Sequence, residues 1–166
     1  MINFYVIYSR PEKLDKFDLY ASPLSYINSR YAPNQVERFK PILHIIKTIP
    51  RAASRYAAYV SESRWVEAEP TIMKDAYFAY WYAKYALEGR FIEAEPIIMK
   101  RPSIAVDYAR FIIKGRWYEA EEYIIEAPAC AYYYANDVIK GRWKEAEPYI
   151  MKDPLWEQYV NTYGIE

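Results

Sequence analysis

With 166 residues, 22 basic side chains against 22 acidic ones and 53% of its residues apolar, the chain is neither a disordered tail nor a polycation of the kind that coats nucleic acid. One cysteine excludes an internal disulfide and a cysteine-built metal site, and one histidine excludes a paired-histidine site. No basic leader followed by an apolar run opens the sequence, and no stretch nears eighteen uninterrupted apolar residues. Neither a signal peptide nor a membrane span is therefore expected, and a reducing cytoplasm is the expected compartment.

Residues 1–37 carry the weakest pattern. Ile2–Tyr8 is β-branched and aromatic, which suits a short strand stopped by Pro11. Leu14, Phe17 and Leu19 then open a helical pattern, and Ser29-Arg30-Tyr31-Ala32 echoes Ser54-Arg55-Tyr56-Ala57. The region reads as an N-terminal cap or a decayed repeat. From Arg64 onward the pattern is unmistakable. Arg64, Arg90, Arg116 and Arg142 each open an Arg-aromatic-x-Glu-Ala-Glu motif, and they stand 26 residues apart without an insertion. A fixed period of that length marks a repeat protein. Counting back one period places a degenerate unit at residues 38–63, which lacks Glu-Ala-Glu but keeps Pro50 and Tyr56-Ala57 in register. Clear units follow at 64–89, 90–115, 116–141 and 142–166.

Each unit holds two helical patterns. Trp65, Ala68 and Ile72 share one face of the first, and Ala79, Tyr82, Ala83 and Ala86 one face of the second. Pro102, Pro128 and Pro154, with Ala76 as the exception, sit where the second helix begins and a missing N–H costs nothing. Gly89, Gly115 and Gly141 fall where a left-handed helix end favours glycine. Pro70, Pro96 and Pro148 predict a distorted first turn in the first helix. In the last unit the same alignment puts Glu157 where Ala131 stands and Val160-Asn161 at the Tyr-Ala pair, polar changes suited to a terminal cap. The expected fold is all-α: a solenoid of short helical hairpins.

Candidate chemistry is sparse. The pairs Glu67/Glu69, Glu93/Glu95, Glu119/Glu121 and Glu145/Glu147 recur identically in the first turn of a helix, where the dipole favours negative charge. An arginine three residues ahead is placed to pair with the first of them, or with a neighbouring unit. They read as structural rather than as an acid/base pair, which needs two unlike environments. Cys130 stands where other units have Phe78 and Ile104 and reads as a small core residue. His44, among Ile42, Leu43, Ile45 and Ile46, reads as a packed or boundary side chain. With no Gly-rich phosphate loop and no metal or nucleophile signature, no enzyme activity, cofactor or metal is expected.

The motif Lys140-Gly-Arg-Trp-Lys-Glu-Ala-Glu-Pro-Tyr-Ile-Met-Lys-Asp-Pro154 resembles a tandem repeat of proteins from tailed bacteriophages and some other viruses and bacteria. Its Gly-x-aromatic-x-x-Ala core is also similar, at a shorter period, to half of a tetratricopeptide repeat. The resemblance covers residues 64–166, implies an α-helical solenoid and a viral origin, and carries over no catalytic residue.

Function is then expected on positions that vary between units. The second-helix face away from the alanines carries Tyr77, Trp81, Lys84 and Tyr85, then Ser103, Asp107, Arg110 and Phe111, then Ala129, Tyr133, Asn136 and Asp137. By the tetratricopeptide resemblance this face lines a concave surface. Aromatics with arginine and a few acids match a protein-binding patch, and the viral resemblance implies a host or defence protein, such as a CRISPR component, as the partner. Two alternatives stand beside it. One is single-stranded nucleic acid, read by stacking aromatics, with Lys40, Lys47, Arg51 and Arg55 of the N-terminal half as its basic residues; the other is self-association through tyrosine-rich faces, twenty tyrosines being more than a core alone needs.

Overall fold

The computed structural model describes residues 39–165. The expectations for residues 1–37, the strand at Ile2–Tyr8 among them, lie outside the described residues. Those described are helical between turns, and none of them forms a strand. The chain divides into two compact units, Met1–Glu88 and Gly89–Glu166. The first contains α1 (Leu43–Ile46), α2 (Pro50–Tyr56), α3 (Glu69–Ile72) and α4 (Ala76–Tyr82). The second contains α5 (Glu95–Ile98), α6 (Pro102–Tyr108), α7 (Tyr118–Ile124), α8 (Pro128–Tyr134), α9 (Glu147–Ile150) and α10 (Trp156–Tyr163). None of these helices is long and apolar enough to cross a membrane.

Proline decides the shape of the first helices. Before α3, α5 and α9 runs a single 3-10 turn (Val66–Ala68, Ile92–Ala94 and Lys144–Ala146), and each of these helices has proline as its second residue. Pro70 has no N–H to offer the carbonyl of Val66, so the N–H of Glu69 takes it at the tighter spacing. Where Glu122 replaces the proline, the same stretch is one continuous α-helix, α7. The distortion expected at the prolines is thus present, and the unit without one lacks it.

The second helices start in two ways. Pro50, Pro102 and Pro128 each occupy the first helical position, with no side-chain cap. Ala76 has none of proline's preset φ, and the Asp75 carboxylate caps α4 instead, accepting from the N–H groups of Tyr77 (2.9 Å) and Phe78 (3.2 Å). Pro154 departs from expectation: α10 begins two residues later, at Trp156, and the Asp153 carboxylate accepts from the Leu155 N–H.

Helices α2, α4, α6 and α8 each run on into a wide turn (Ala57–Ser61, Ala83–Leu87, Ala109–Ile113, Ala135–Ile139) with hydrogen bonds five residues back. The left-handed residue that ends each is Glu62, Glu88, Lys114 or Lys140, not the glycine after it. That corrects the expectation for Gly89, Gly115 and Gly141. The widened turn reaches one residue less far along the chain, so the reversal falls one position early. The N–H groups of Lys114 and Gly115 then both point to the Ala109 carbonyl. Ser63 fills the glycine position after Glu62, as expected where no positive φ demands glycine.

The core is built from repeating small and large positions. Ala68, Ala94, Ala120 and Ala146, with Ile72, Ile98, Ile124 and Ile150, are wholly buried, as are Tyr82, Tyr108, Tyr134 and Tyr159. Each tyrosine serves two neighbours. Its hydroxyl accepts the backbone N–H of the aromatic that opens its own repeat: Trp65, Phe91, Trp117 and Trp143, at 2.6–2.7 Å. In the first three it also donates to a glutamate, Glu69, Glu95 or Glu121, at 3.0–3.1 Å. That glutamate is gripped through both oxygens by Arg64, Arg90 or Arg116, as Arg142 grips Glu147. The arginine therefore holds the second glutamate of each pair, five residues on. Within each unit the tyrosine ring also lies against the aromatic nine residues further on: Tyr56 on Trp65, Tyr108 on Trp117, Tyr134 on Trp143, with centroids 5.0–5.1 Å apart.

The hydroxyl identifies the last repeat's register. Tyr159 bonds Trp143 over 16 residues where the others span 17. The tyrosine role falls to Tyr159 rather than to Val160, one residue earlier than simple counting gives, and Glu157 and Asn161 are exposed rather than placed at packing positions.

The clamp also holds an unfavourable backbone. The residue before a proline avoids the α region, yet Glu69, Glu95 and Glu147 sit in it (φ −54°, −54° and −52°) with their carboxylates fixed by arginine. Arg116 fixes Glu121 in the same way, so Glu122→Pro is expected to destabilise by less than about 1 kcal/mol in urea titrations, against about 3 kcal/mol for proline in an ordinary helix interior. The buried phenols set an alkaline limit. Burial, first, pushes Tyr82, Tyr108 and Tyr134 well above their ordinary value of 10.0. A group raised on folding stabilises fully below its unfolded value and loses that contribution as pH climbs past it. The urea midpoint is expected to be level from pH 7 to about 9 and to fall steeply beyond about 10. Tyr134→Phe flattens that fall, while at pH 7 it costs about 1–3 kcal/mol by leaving the Trp117 N–H without its acceptor.

Candidate protein-binding surface

The face expected to bind takes different form in the two units. In Met1–Glu88, α4 and its wide turn project Tyr77, Trp81 and Tyr85 one helical turn apart, and their rings meet. Trp81 lies 4.7 Å from Tyr85 and 6.3 Å from Tyr77, centroid to centroid. Tyr59, from the turn after α2, joins Trp81 at 5.9 Å and Tyr85 at 6.2 Å. The Arg55 guanidinium sits 5.5 Å over the Trp81 ring. Tyr77 and Tyr85 remain 48% and 39% exposed, so the cluster is a surface feature rather than core. Lys84 borders the cluster: its Nζ donates to the Tyr80 hydroxyl at 3.1 Å and lies over the Tyr80 and Tyr85 rings.

Sequence reading gathered Tyr77, Trp81, Lys84 and Tyr85 but missed Arg55 and Tyr59 as partners on this face. The signal was present, since Arg55 and Tyr59 lie one period before Trp81 and Tyr85. The weak motif of residues 38–63 concealed it. Arg51, one period before Tyr77, belongs to the same set.

In Gly89–Glu166 the corresponding positions are occupied with one another. Arg110 pairs with Asp137 at 2.8 Å, tying α6's wide turn to α8's, and Asn136 donates to the same carboxylate at 3.0 Å. The Arg110 guanidinium also covers the Phe111 ring at 5.0 Å. Phe111 and Tyr133 are exposed, Tyr133 edge-on to Tyr132, and Asp107, Arg110 and Asn136 are exposed beside them. The two outer positions Ser103 and Ala129 carry no contact of note.

Three large apolar side chains outside this face, Val66, Ile92 and Tyr118, are 59–69% exposed at one repeated position of the first helices. Sequence reading gave that position no role. Cys130 is half-buried, and burial, with Asp107 second, pushes its thiol up, which suits packing and not nucleophilic attack. His44 is exposed rather than packed. Among the described residues no group of histidine, cysteine and carboxylate side chains gathers to hold a metal ion. The chain matches no protein-family model, no curated protein and no solved structure.

Arg110 is nearly half exposed, so its pair with Asp137 is expected to contribute little to stability. A double-mutant cycle through Arg110→Ala and Asp137→Ala, read by urea unfolding, should return a coupling of about 0.2–1 kcal/mol.

Proposed function

We propose that the chain is a non-enzymatic helical-repeat module that binds another protein. Its 26-residue hairpins stack as a solenoid, and the variable faces of the second helices form the contact. The observation that carries the reading is the cluster of Tyr59, Tyr77, Trp81 and Tyr85. Four large rings, packed against one another in tilted and edge-on contacts and partly open to solvent, offer a broad contact area at little cost in side-chain freedom. Rings needed only for stability would be buried, as Tyr82 and Tyr134 are. The resemblance of the repeat to viral sequences makes a host or defence protein the proposed class of partner.

The reading of a single-stranded nucleic-acid binder draws on Arg51 and Arg55 beside these rings. Against it, the rings spend their faces on each other and on Arg55, whereas base stacking needs a free face, and the balanced charge supplies no extended track for phosphates.

The test is affinity capture from bacterial lysate at 0.1 and about 1 M salt, with mass spectrometry of the retained material. A stoichiometric protein that survives high salt, and is lost when Trp81→Ala and Tyr133→Ala are combined, is the expected result. Capture unaffected by the double substitution would overturn this placement of the binding face, and nucleic acid released by salt would replace the reading with the second one.

A further inference from the structure

Arg55 carries more information than the rings around it. It comes from α2 and lies over Trp81, half-buried, and its Nη1 is covered without any hydrogen-bond partner. Among the described residues no other buried side-chain nitrogen or oxygen is left in that condition. Every buried phenol and carboxylate of the repeat clamps has a partner, so an unmatched guanidinium N–H stands out in a fold that otherwise satisfies its polar groups. Among the described residues the groups acting on Arg55 are Arg51, a like charge one turn earlier, and the phenols of Tyr59 and Tyr77; no described carboxylate is among them. Burial and Arg51 together depress its pKa below the ordinary arginine value. A cation held next to another cation and among rings, with no carboxylate of the described residues acting on it, is costly to the fold that holds it. A carboxylate from outside the fold, meeting the part of the Arg55 side chain that remains exposed, would supply the missing charge.

We propose that Arg55 is the anchor for a carboxylate on an acidic segment of the partner protein, with Trp81, Tyr59 and Tyr77 taking the apolar side chains that flank it. This rests on the protein-binding reading and narrows it to a partner chemistry. Arginine's planar fork matches a carboxylate through two N–H groups. Arg51 adds long-range attraction for an acidic stretch, and charge of this sign speeds encounter more than it tightens the final complex. A phosphate backbone would meet the same cations, but it needs unstacked ring faces for its bases. Trp81 has Arg55 over its ring and Tyr85 tilted against it at 4.7 Å. An acidic segment of a second copy of this chain is the remaining occupant.

The experiment uses the full chain and fluorescence polarisation with a labelled random copolymer of glutamate and tyrosine, with oligo-dT of 20 nucleotides as the competing probe. The copolymer is expected to bind, and Arg55→Met to weaken it at least tenfold. Arg55→Lys, which keeps the charge and loses the fork, should fall between, and Arg101→Met should bind as the parent does. Arg55→Met is also expected to melt at the parent temperature or above, because it removes an unmatched buried donor. The inference is overturned if Arg55→Met binds as tightly as the parent, if it melts several degrees lower, or if oligo-dT displaces the copolymer at equal charge. It is equally overturned if sedimentation shows an Arg55-dependent dimer, which would make the occupant another copy. Failure of the copolymer to bind while capture from lysate still depends on Trp81 and Tyr133 removes this inference and leaves the broader reading in place; loss of both removes both.

Discussion

The structure depends on one phenolic oxygen per repeat. In Tyr82, Tyr108 and Tyr134 that oxygen accepts a backbone N–H from the residue opening the repeat and donates to a glutamate already claimed by arginine. The first helix of each hairpin is only four to seven residues long, too short to persist by itself. Its entry is fixed instead from the side, by a tyrosine of the second helix. The buried carboxylates of Glu69 and Glu95 have the fork of an arginine on one flank and a phenol on the other. Burying them is therefore tolerable where an isolated charge would not be. Apolar packing around the isoleucines supplies the driving force, and the clamp supplies the geometry.

Much of this was legible in the residues. The period, the helical hairpins, the alanine and isoleucine core, and the distortion beside Pro70, Pro96 and Pro148 follow from spacing and from the missing proline N–H. Three features did not, each for a definite reason. Glycine after the second helices suggested a left-handed glycine, but the wide turn advances the reversal onto Glu88, Lys114 and Lys140, a hydrogen-bond choice that composition does not encode. The arginine was matched to the nearer glutamate or to a neighbouring unit; Arg64 precedes its helix, and from there its guanidinium meets both oxygens of Glu69. The last repeat was counted at a constant period, although Tyr159 closes its bond one residue early.

The candidate surface was legible to a smaller degree. Tyr77, Trp81 and Tyr85 were found as a stripe on one helix, which a sequence displays directly. Their grouping with Arg55 and Tyr59 is a contact between helices α2 and α4, and it required carrying the period back into a repeat whose motif has eroded. In the second unit Arg110 and Asn136, at the position of Lys84, bond instead to Asp137, at the position of Tyr85, so similarity of position does not imply similarity of use. The unmatched nitrogen of Arg55 has no sequence signature at all, since a satisfied and an unsatisfied arginine are spelled alike.

The clamps also have a kinetic meaning. Arginine reaches its glutamate over 5 residues, tyrosine its glutamate over 13 and its backbone partner over 17. The contacts that define a hairpin thus close short loops, whose entropy is small and grows only slowly with length. Contacts this local are the kind that favours fast folding. The tyrosine ring then offers the surface against which the tryptophan nine residues on settles. To close, such a clamp needs no sequence beyond its own repeat.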